Sequence, residues 1–318
     1  MKEAHEQQKS NVPLVTCIIT CYKKFDYLYE AIQSVIIQDY PQIELLITDD
    51  GSESFPKEDV ETYIKNNAKS NIKHFFVNHH PNNVGTVRNI NSMLKIATGD
   101  YFIGLDGDDV FYDETVFSRI VNRFIETGVD FLSCSRMQCD EQLNPIKLIP
   151  TDESKKLIKK MDTARKQYDS VSVFRFHDIA SGSAMYFSRE NLQRMGLFDE
   201  NYRNWQDGPR IAEYIRRGKM IPTAFDITSV KYRDGGVSNN PSNNMDSFAH
   251  ITKDRANYIR RVVSPNKTNR MVFLRRKILF WFEWDQVNNK SDRLWLIMKY
   301  PECGICTIIK KVLHKSIR

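Results

Sequence analysis

The sequence predicts an α/β fold with a mostly parallel central sheet covered by helices on both sides. Short apolar runs rich in β-branched residues, at 14–20, 43–48 and 101–105, are typical of buried parallel strands. Segments with a helical spacing of apolar residues separate these runs. Strands that alternate with helices indicate a parallel sheet.

The first hundred residues supply most of this alternation. In chain order the predicted strands are 14–20, 43–48, 72–77 and 101–105, and the predicted helices are 25–38, 58–69 and 84–97. After residue 109 the pattern becomes mixed. There we predict helices at 115–127, 190–195, 209–217, 271–284, 294–300 and 305–313, strands at 129–133, 183–188 and 227–232, and an exposed helix or mobile loop at 153–165.

Composition indicates a soluble globular protein, with 318 residues of which 41% are hydrophobic and 27% charged. No apolar run approaches the ~20 residues that span a bilayer. The first residues are polar and lack the apolar core of a secretory signal. We therefore expect a cytoplasmic location.

The basic character of the chain is concentrated at its C-terminal end. Residues 260–318 contain 14 lysines and arginines against 4 aspartates and glutamates, a net charge of +10, whereas the rest carries −4. Aromatic and basic residues mixed in helices are typical of membrane-interface helices, and equally of helices that cap a core. The wide spread of apolar positions favours capping, and contact with an anionic membrane stays open. No nucleic-acid-binding motif accompanies the charge, so we expect no nucleic-acid partner.

The acidic stretch Asp106-Gly107-Asp108-Asp109 follows directly after an apolar predicted strand. Carboxylates this close repel one another unless a cation lies between them, and Mg²⁺ or Mn²⁺ is the natural partner. The glycine would let the backbone approach a ligand closely. The alternative is a solvated Asp/Gly turn.

Two other predicted strands also end in polar residues. The first ends in Thr20-Cys21-Tyr22 and the second in Asp49-Asp50-Gly51-Ser52. Ligands of open α/β sheets bind beyond the carboxyl ends of the strands. We therefore expect these residues and the acidic stretch to lie along one ligand-binding edge.

The ordered set of motifs resembles the inverting glycosyltransferases of family 2, which have the GT-A fold. The resemblance covers roughly residues 13–238. Besides the three strand ends, the matching segments are Asn83-Val84-Gly85, Arg88-Asn89, Ala97-Thr98-Gly99-Asp100, Gly196-Leu197-Phe198-Asp199-Glu200 and Gln206-Asp207. Each piece alone is weakly specific, and the ordered set is strongly specific.

Two positions depart from the pattern of that family. Its Glu-Asp pair is Gln206-Asp207 here, which keeps the residue usually assigned as base and loses a supporting carboxylate. Its Tyr-Arg-x-His segment is Tyr232-Arg233-Asp234-Gly235 here, so glycine stands where that family has a histidine.

The resemblance implies metal-dependent transfer of a sugar from a nucleotide diphosphate, UDP being favoured, to an acceptor hydroxyl. Asp108 and Asp106 would hold Mn²⁺ or Mg²⁺ against the leaving diphosphate. Asp207 would be the catalytic base. The alternative for Asp207 is an N-terminal helix cap before Pro209.

The remaining assignments concern substrate contacts. Asp50, with Asp49 as its neighbour, would accept from an N–H of the nucleobase, and Thr20 and Tyr22 would contact base and ribose. The alternative for Asp49-Asp50-Gly51-Ser52 is an ordinary turn. Arg88 would face the diphosphate or be a solvated helix residue. The further assigned residues are Gly107 at the donor, and Asp109, Ser183 and Gln206 at the substrate.

We expect four segments: a polar tail at 1–12, a nucleotide-sugar-binding half at 13–110, an acceptor-binding half at 111–238 and a basic helical extension at 239–318. The expected partners are a nucleotide-sugar donor and a glycan or lipid-linked glycan acceptor, as in bacterial surface polysaccharide assembly. A non-catalytic scaffold on the same fold is the principal alternative, since Gln206 replaces a glutamate. A dehalogenase-type phosphatase fits poorly, because it would carry Asp-x-Asp-x-Thr.

Overall fold

One mixed sheet forms the centre of the part of the chain that the computed structural model describes, residues 12–173, 175–234, 245–262, 269–284, 287 and 289–303. Its strands in chain order are β1 (Val15–Cys21), β2 (Ile43–Asp49), β3 (Ile72–His79), β4 (Tyr101–Asp106), β5 (Val110–Phe111), β6 (Phe131–Cys139), β7 (Pro145–Ile149), β8 (Met185–Ser188) and β9 (Thr223–Arg233). Their spatial order is β3-β2-β1-β4-β8-β6-β9-β5, with β7 paired to β6.

The first four strands form a parallel half, because β1 pairs in parallel with both β2 and β4, and β2 pairs in parallel with β3. All of β2 and nearly all of β1 are buried, which explains their almost continuously apolar sequences. Beyond β4 the sheet becomes mixed: β8 is antiparallel to β4 and β6, and β9 is parallel to β6. A mostly parallel sheet is thus confirmed.

Helices cover both faces of the sheet. They are α1 (Leu28–Ile36), α2 (Lys57–Asn67), α3 (Thr86–Ile96), α4 (Val116–Thr127), α5 (Asp152–Lys160), α6 (Ala164–Val171), α7 (Arg189–Met195), α8 (Asp207–Arg216), α9 (Met245–Val262), α10 (Asn269–Trp284) and α11 (Lys290–Lys299). One core lies between the sheet and α1, α2 and α4. The other lies under α3 and α8 and extends to the C-terminal helices.

Three parts of the second half differ from the sequence prediction. The segment at 153–165, expected as one exposed helix or a loop, forms parts of α5 and α6. Each of these helices starts at a threonine, Thr151 or Thr163, whose side chain accepts a backbone hydrogen bond. Strand β6 is longer than expected and carries polar residues in its second half, and the short strands β5 and β7 were not predicted.

The C-terminal helices pack onto the second core through buried side chains that include Tyr258, Phe280 and Leu296. The burial of these three side chains agrees with the favoured interpretation of the segment, in which its helices cap the core. The polar tail up to residue 11, the predicted domain boundary at 239 and the predicted helix at 305–313 lie outside the described residues. None of the described helices combines the length and hydropathy needed to traverse a bilayer.

Candidate active site

The carboxyl ends of β1, β2 and β4 meet at one edge of the sheet. The parallel register places Thr20 beside Asp106 of β4. The following residue, Cys21, lies beside Asp49 of β2. The Thr20 hydroxyl donates to a carboxylate oxygen of Asp106 at 3.1 Å. Strand pairing thus brings together the polar strand ends that the sequence singles out.

A tight turn holds the acidic stretch directly after β4. The Asp109 N–H donates to the Asp106 carbonyl at 3.0 Å, and the Gly107 N–H donates to the Thr20 carbonyl at 2.7 Å. A Cβ at Gly107 would lie 3.0 Å from the Cys21 Cβ and 3.1 Å from the Thr20 carbonyl oxygen. The backbone that this glycine approaches closely is therefore that of β1. This packing explains the glycine without the ligand approach expected from the sequence.

Arg233, at the end of β9, clamps this turn from behind. Its N–H donates to a carboxylate oxygen of buried Asp109 at 3.1 Å, and its guanidinium donates to the Asp108 carbonyl. The same guanidinium pairs with Glu30 at 2.6 Å and stacks over the Tyr27 ring at 3.9 Å. Asp109 thereby has a structural contact, and its contact with substrate stays a prediction. Sequence analysis noted Arg233 only as part of a family segment.

Burial and neighbouring carboxylates both act on Asp106 in the acidic turn. Burial, then the charge of Asp108, and more weakly that of Asp207, raise the pKa of Asp106 to about 6. A divalent cation at this turn would relieve that repulsion, so the donor set fits Mg²⁺ or Mn²⁺. Within the described residues no group of three or more His, Cys, Asp or Glu is arranged to hold a metal. One or two carboxylates suffice where substrate phosphates complete the coordination.

Asp49 organises the turn after β2. It is fully buried, and its carboxylate accepts from the Ser52 N–H at 2.7 Å and the Ser52 hydroxyl at 2.6 Å. It also lies 2.8 Å from Nδ1 of His79. Gly51 in this turn has φ +75°, and a Cβ there would come within 2.2 Å of the Asn82 backbone. Glycine is therefore required where the turn meets the next loop.

Asp50 holds the loop that leads into α3. Its carboxylate accepts from the Val84 N–H at 2.7 Å, the Gly85 N–H at 3.0 Å and the Asn83 side-chain amide at 2.9 Å. Asp50 is only 5% exposed. Burial raises its pKa, partly opposed by these hydrogen bonds. Direct contact of Asp50 with a nucleobase stays a prediction, whereas its grip on the loop is observed.

Arg203, which the sequence did not single out, connects the same loop to the C-terminal extension. Its guanidinium donates to the carbonyls of Asn83 at 3.0 Å and Val84 at 3.4 Å. The backbone N–H groups of Arg203 and Asn204 donate to buried Asp254 of α9, at 2.9 and 2.7 Å. Helix α9 therefore supports the segment that immediately precedes α8.

Asp207 is the first residue of α8. One carboxylate oxygen accepts from the Gly182 N–H at 3.0 Å and the other from the Gly208 N–H at 2.7 Å. The capping position itself belongs to Gln206, which makes no side-chain capping hydrogen bond. A Cβ at Gly182 would lie 2.9 Å from the Gln206 amide nitrogen. The backbone after α6 thus approaches Gln206 and Asp207 closely and fixes the carboxylate.

A cavity joins the two halves of the site. Thr20 and Asp106 line it from the strand ends, and Ser183 and Gln206 line it from the opposite side. The charge of Asp207 also acts on Asp106. The structure therefore places the acidic turn and the α8 terminus, about a hundred residues apart in sequence, around one cleft.

Arg136 on β6 is a cation near this cleft that sequence analysis missed. Its guanidinium lies 3.4 Å from the Ser183 hydroxyl and 4.7 Å from the Tyr232 ring centroid. Its charge opposes the raised pKa values of Asp106 and Asp109. The only signal in the sequence was an arginine inside an otherwise uncharged strand.

Two predicted residues have less specific surroundings. Tyr22 is partly buried, with the Lys23 ammonium 5.0 Å from its ring centroid. Arg88 on α3 is 60% exposed at its side chain, and its Nε lies 3.3 Å from Glu200. The proposed contacts of these residues with the nucleoside and diphosphate stay predictions.

Residues 16–194 match the family model described as glycosyl transferase family 2, which is more than half of the chain. The chain belongs to glycosyl transferase family 2. Among curated proteins, an uncharacterised glycosyltransferase of Rickettsia typhi is 22% identical over 98% of this chain and 93% of the relative. Another, from Haemophilus influenzae, is 28% identical over 56% of this chain and 71% of the relative. Family 2 membership makes the protein a glycosyltransferase.

Solved structures support the fold. A mannosyltransferase from Pyrobaculum calidifontis, in complex with GDP-Man and Mn²⁺, is similar with a TM-score of 0.58 and 15% identity, covering 97% of this chain and 82% of that one. Staphylococcus aureus TarS 1–349 in complex with UDP-GlcNAc is similar with a TM-score of 0.53 and 18% identity, covering 85% and 71%. At such identities the likeness establishes the fold alone, and the predicted GT-A fold is confirmed.

The family 2 match ends at residue 194 and so does not reach Asp207. The case for Asp207 rests on its hydrogen bond with Gly182 and on its neighbour Gln206, since both of these residues line the cavity. The acidic turn and the loop at 83–85, in contrast, lie inside the matched region.

Proposed function

We propose that the protein is an inverting, metal-dependent glycosyltransferase that moves a sugar from a nucleotide diphosphate, with UDP favoured, to an acceptor hydroxyl. One observation carries this proposal. Thr20 and Asp106 at the strand ends line the same cavity as Gln206, the residue before Asp207. The turn that would hold the metal and the candidate base therefore adjoin one cavity, and the transferred sugar would lie over it.

The acidic turn would hold the metal, with Asp108 and Asp106 as its protein ligands. Bound there, Mn²⁺ or Mg²⁺ supplies Lewis acidity for the negative charge that gathers on the leaving diphosphate. The chain prepares this position through Gly107, which seats the turn on β1, and through Arg233, which ties its backbone from behind. Carboxylates held on a fixed backbone lose little freedom when a ligand arrives.

Asp207 would act as general base. In an inverting displacement the acceptor oxygen attacks the anomeric carbon opposite the diphosphate, the new glycosidic bond forms as the bond to the diphosphate oxygen breaks, and the hydroxyl proton passes to Asp207. The N–H groups of Gly182 and Gly208 hold the two oxygens of that carboxylate. Such hydrogen bonds orient the carboxylate and leave further lone pairs for the proton.

The nucleoside would lie beyond β1 and β2. Thr20, Tyr22 and the turn at Asp49 and Asp50 are our assigned contacts, with Arg88 toward the diphosphate. Asp50 would act mainly by shaping the loop at 83–85, since that loop occupies its carboxylate. Ser183 and Gln206 would contact the sugar or the acceptor. In these terms residues 13–110 are the donor half and 111–238 the acceptor half.

A donor panel tests this proposal. The full-length protein would be incubated with Mn²⁺ and UDP-, GDP- and dTDP-sugars, and nucleotide release and affinity measured. We expect metal-dependent binding and turnover of at least one nucleotide sugar, with UDP donors bound most tightly. If the protein binds none of these nucleotides in the presence of Mn²⁺, the proposal is overturned. Binding without turnover across acceptor classes would favour a non-catalytic scaffold.

We further propose a glycan or lipid-linked glycan acceptor, as in bacterial surface polysaccharide assembly, at the cytoplasmic face of the membrane. The support is the net charge of +10 over residues 260–318 together with exposed apolar residues on α11: Leu294, Trp295 and Met298 are 54–65% exposed. Apolar and cationic residues on one exposed helix suit an anionic lipid surface. In a flotation assay the protein should rise with anionic vesicles, and a smaller fraction of Trp295→Ser should do so. Equal flotation with neutral vesicles would contradict an electrostatic contact.

A further inference from the structure

Gly104 lies on β4 two residues before Asp106, on the same face of the strand because side chains alternate. In the parallel register it lies opposite Ile18 of β1, just as Asp106 lies opposite Thr20. Phe102, two residues earlier on this face, is buried in the core under α3 and α8. Gly104 therefore occupies the position between that core and the acidic turn.

Neither backbone conformation nor packing requires glycine at this position. Gly104 is absent from the positive-φ glycines. A Cβ added to Gly104 would meet no heavy atom within 4 Å, whereas at Gly99 it would come within 2.4 Å of the Thr16 hydroxyl oxygen. Glycine inside a strand costs roughly 0.5–1 kcal/mol relative to alanine. A glycine inside a strand often marks a bulge, a tight bend, or the close approach of a ligand or another backbone. The regular register with β1 and the open space in front of Gly104 favour a ligand.

The space in front of Gly104 is a cavity of about 50 Å³. Since one water needs about 10–15 Å³ of such space, the cavity has room for a substituent of three or four heavy atoms. The buried residues that form its floor are apolar and include Leu94, Phe102 and Phe187. Polar Gln206 and Ser183 also line it, and because both are partly exposed we take them as its rim.

The apolar floor and polar rim of this cavity favour a substituent that has both an apolar and a polar part. A sugar hydroxyl pushed onto the apolar floor would lose water without a partner, at a cost of roughly 1–3 kcal/mol. A group with an amide at the polar rim and a methyl at the floor would satisfy both regions. The Gln206 side chain offers both a donor and an acceptor to such an amide.

We propose that Gly104 opens a subsite for the N-acetyl group of an acetamido sugar, so that the enzyme selects acetamido-sugar donors over their hydroxyl counterparts. This inference rests on the proposed function, which puts the transferred sugar between Asp106 and Asp207. The cavity then lies directly beneath the sugar. The acetamido group has four heavy atoms, which matches the available space.

Matched donors and a graded series of substitutions test this subsite. Affinities with Mn²⁺ would be measured by calorimetry for UDP-GlcNAc against UDP-Glc and for UDP-GalNAc against UDP-Gal, together with UDP alone. We expect the wild type to bind at least one acetamido donor tenfold or more tightly than its hydroxyl counterpart. Gly104→Ala should reduce this preference, and Gly104→Val should abolish it. The UDP affinity should change less than twofold.

Two controls separate filling of the cavity from damage to the fold. Because the position has space, Gly104→Ala should unfold at the wild-type temperature or above. Ser133→Ala, at a buried strand residue that does not line the cavity, should leave the preference unchanged. A wild type without acetamido preference, or Gly104→Val with wild-type preference, overturns the subsite while leaving the glycosyltransferase proposal standing. If UDP itself fails to bind with Mn²⁺, the proposed function falls, and the subsite falls with it.

Discussion

Replacing Asp207 with asparagine separates the base from the rest of the site. The amide has nearly the same shape as the carboxylate and keeps one oxygen to accept from either the Gly182 or the Gly208 N–H, now at 3.0 and 2.7 Å. The other position becomes an NH₂ group facing a backbone donor. The variant therefore loses basicity and one hydrogen bond, while the acidic turn is untouched.

The expected magnitudes follow from these two losses. General base catalysis contributes about 10²–10⁴-fold, which corresponds to about 2.7–5.4 kcal/mol of transition-state stabilisation. One unsatisfied N–H costs about 1–3 kcal/mol of folding stability when fully buried, and Asp207 is only partly buried. We therefore expect kcat to fall by about 10²–10⁴-fold. The free energy of unfolding should fall by about 1 kcal/mol, the lower end of the range for an unsatisfied buried N–H.

The assay measures nucleotide release under saturating donor and Mn²⁺, together with UDP affinity and urea unfolding. Asp152→Asn, at a carboxylate that is 93% exposed in the first turn of α5, is the matched control and should change none of these quantities. Asp207→Asn should leave UDP affinity within about twofold. A kcat within threefold of wild type would refute the assignment of Asp207 as base. A parallel collapse of UDP affinity would show instead that Asp207 shapes the donor site.

Three further predictions follow, two for residues that support the site and one for the stability of the fold. Arg233→Lys loses the fork of donors behind the acidic turn, so Mn²⁺ affinity in the presence of UDP should fall about tenfold and stability by about 1.5–3 kcal/mol; unchanged Mn²⁺ affinity would show that the clamp does not position the turn. Asp50→Asn should weaken UDP binding and cost about 1–3 kcal/mol in urea unfolding, because a backbone N–H of the loop loses its acceptor; wild-type affinity would contradict a role of this loop in donor binding. Burial raises the pKa of Asp130, but hydrogen bonds from Tyr214 and Arg194 outweigh burial and lower it. Because its folded pKa lies below the unfolded value, Asp130 stabilises the protein above about pH 4 and this contribution is lost as pH falls through the folded pKa, so melting temperatures of wild type and Asp130→Asn should converge in acid.

The parallel half and its strand ends were predictable because local sequence determines them. Buried parallel strands are apolar on both faces, which makes β1 and β2 conspicuous, and parallel pairing then aligns their carboxyl ends. Thr20 and Asp106 could therefore be placed at one edge before any contact was known. The mixed half was harder, since β6 carries polar residues such as Arg136 and Gln138 within the strand.

The supports of the site could not be predicted because they depend on long-range contacts. Arg233 contacts Asp108, which lies 125 residues earlier in the sequence. Arg203 contacts Asn83, which lies 120 residues earlier. Arg203 has no local pattern that distinguishes it from a solvated residue, and the family segment that contains Arg233 does not indicate its contact with the turn. The role inferred for Gly104 could not be predicted either, because it depends on the open space in front of its Cα, which only the structure shows. Asp50 shows the converse, since the motif identified the residue and the structure showed that its oxygens hold a loop.

Titration of UDP into the full-length protein, with Mn²⁺ and after chelation, tests the central claim most directly. Wild type should bind UDP with Mn²⁺ at least tenfold more tightly than without it, and Asp108→Asn should lose that difference while keeping the metal-free affinity. This result would place the metal between the acidic turn and the diphosphate. Equal UDP affinity with and without Mn²⁺, or an Asp108→Asn variant with the full metal effect, would contradict metal-assisted departure of the nucleotide at this turn.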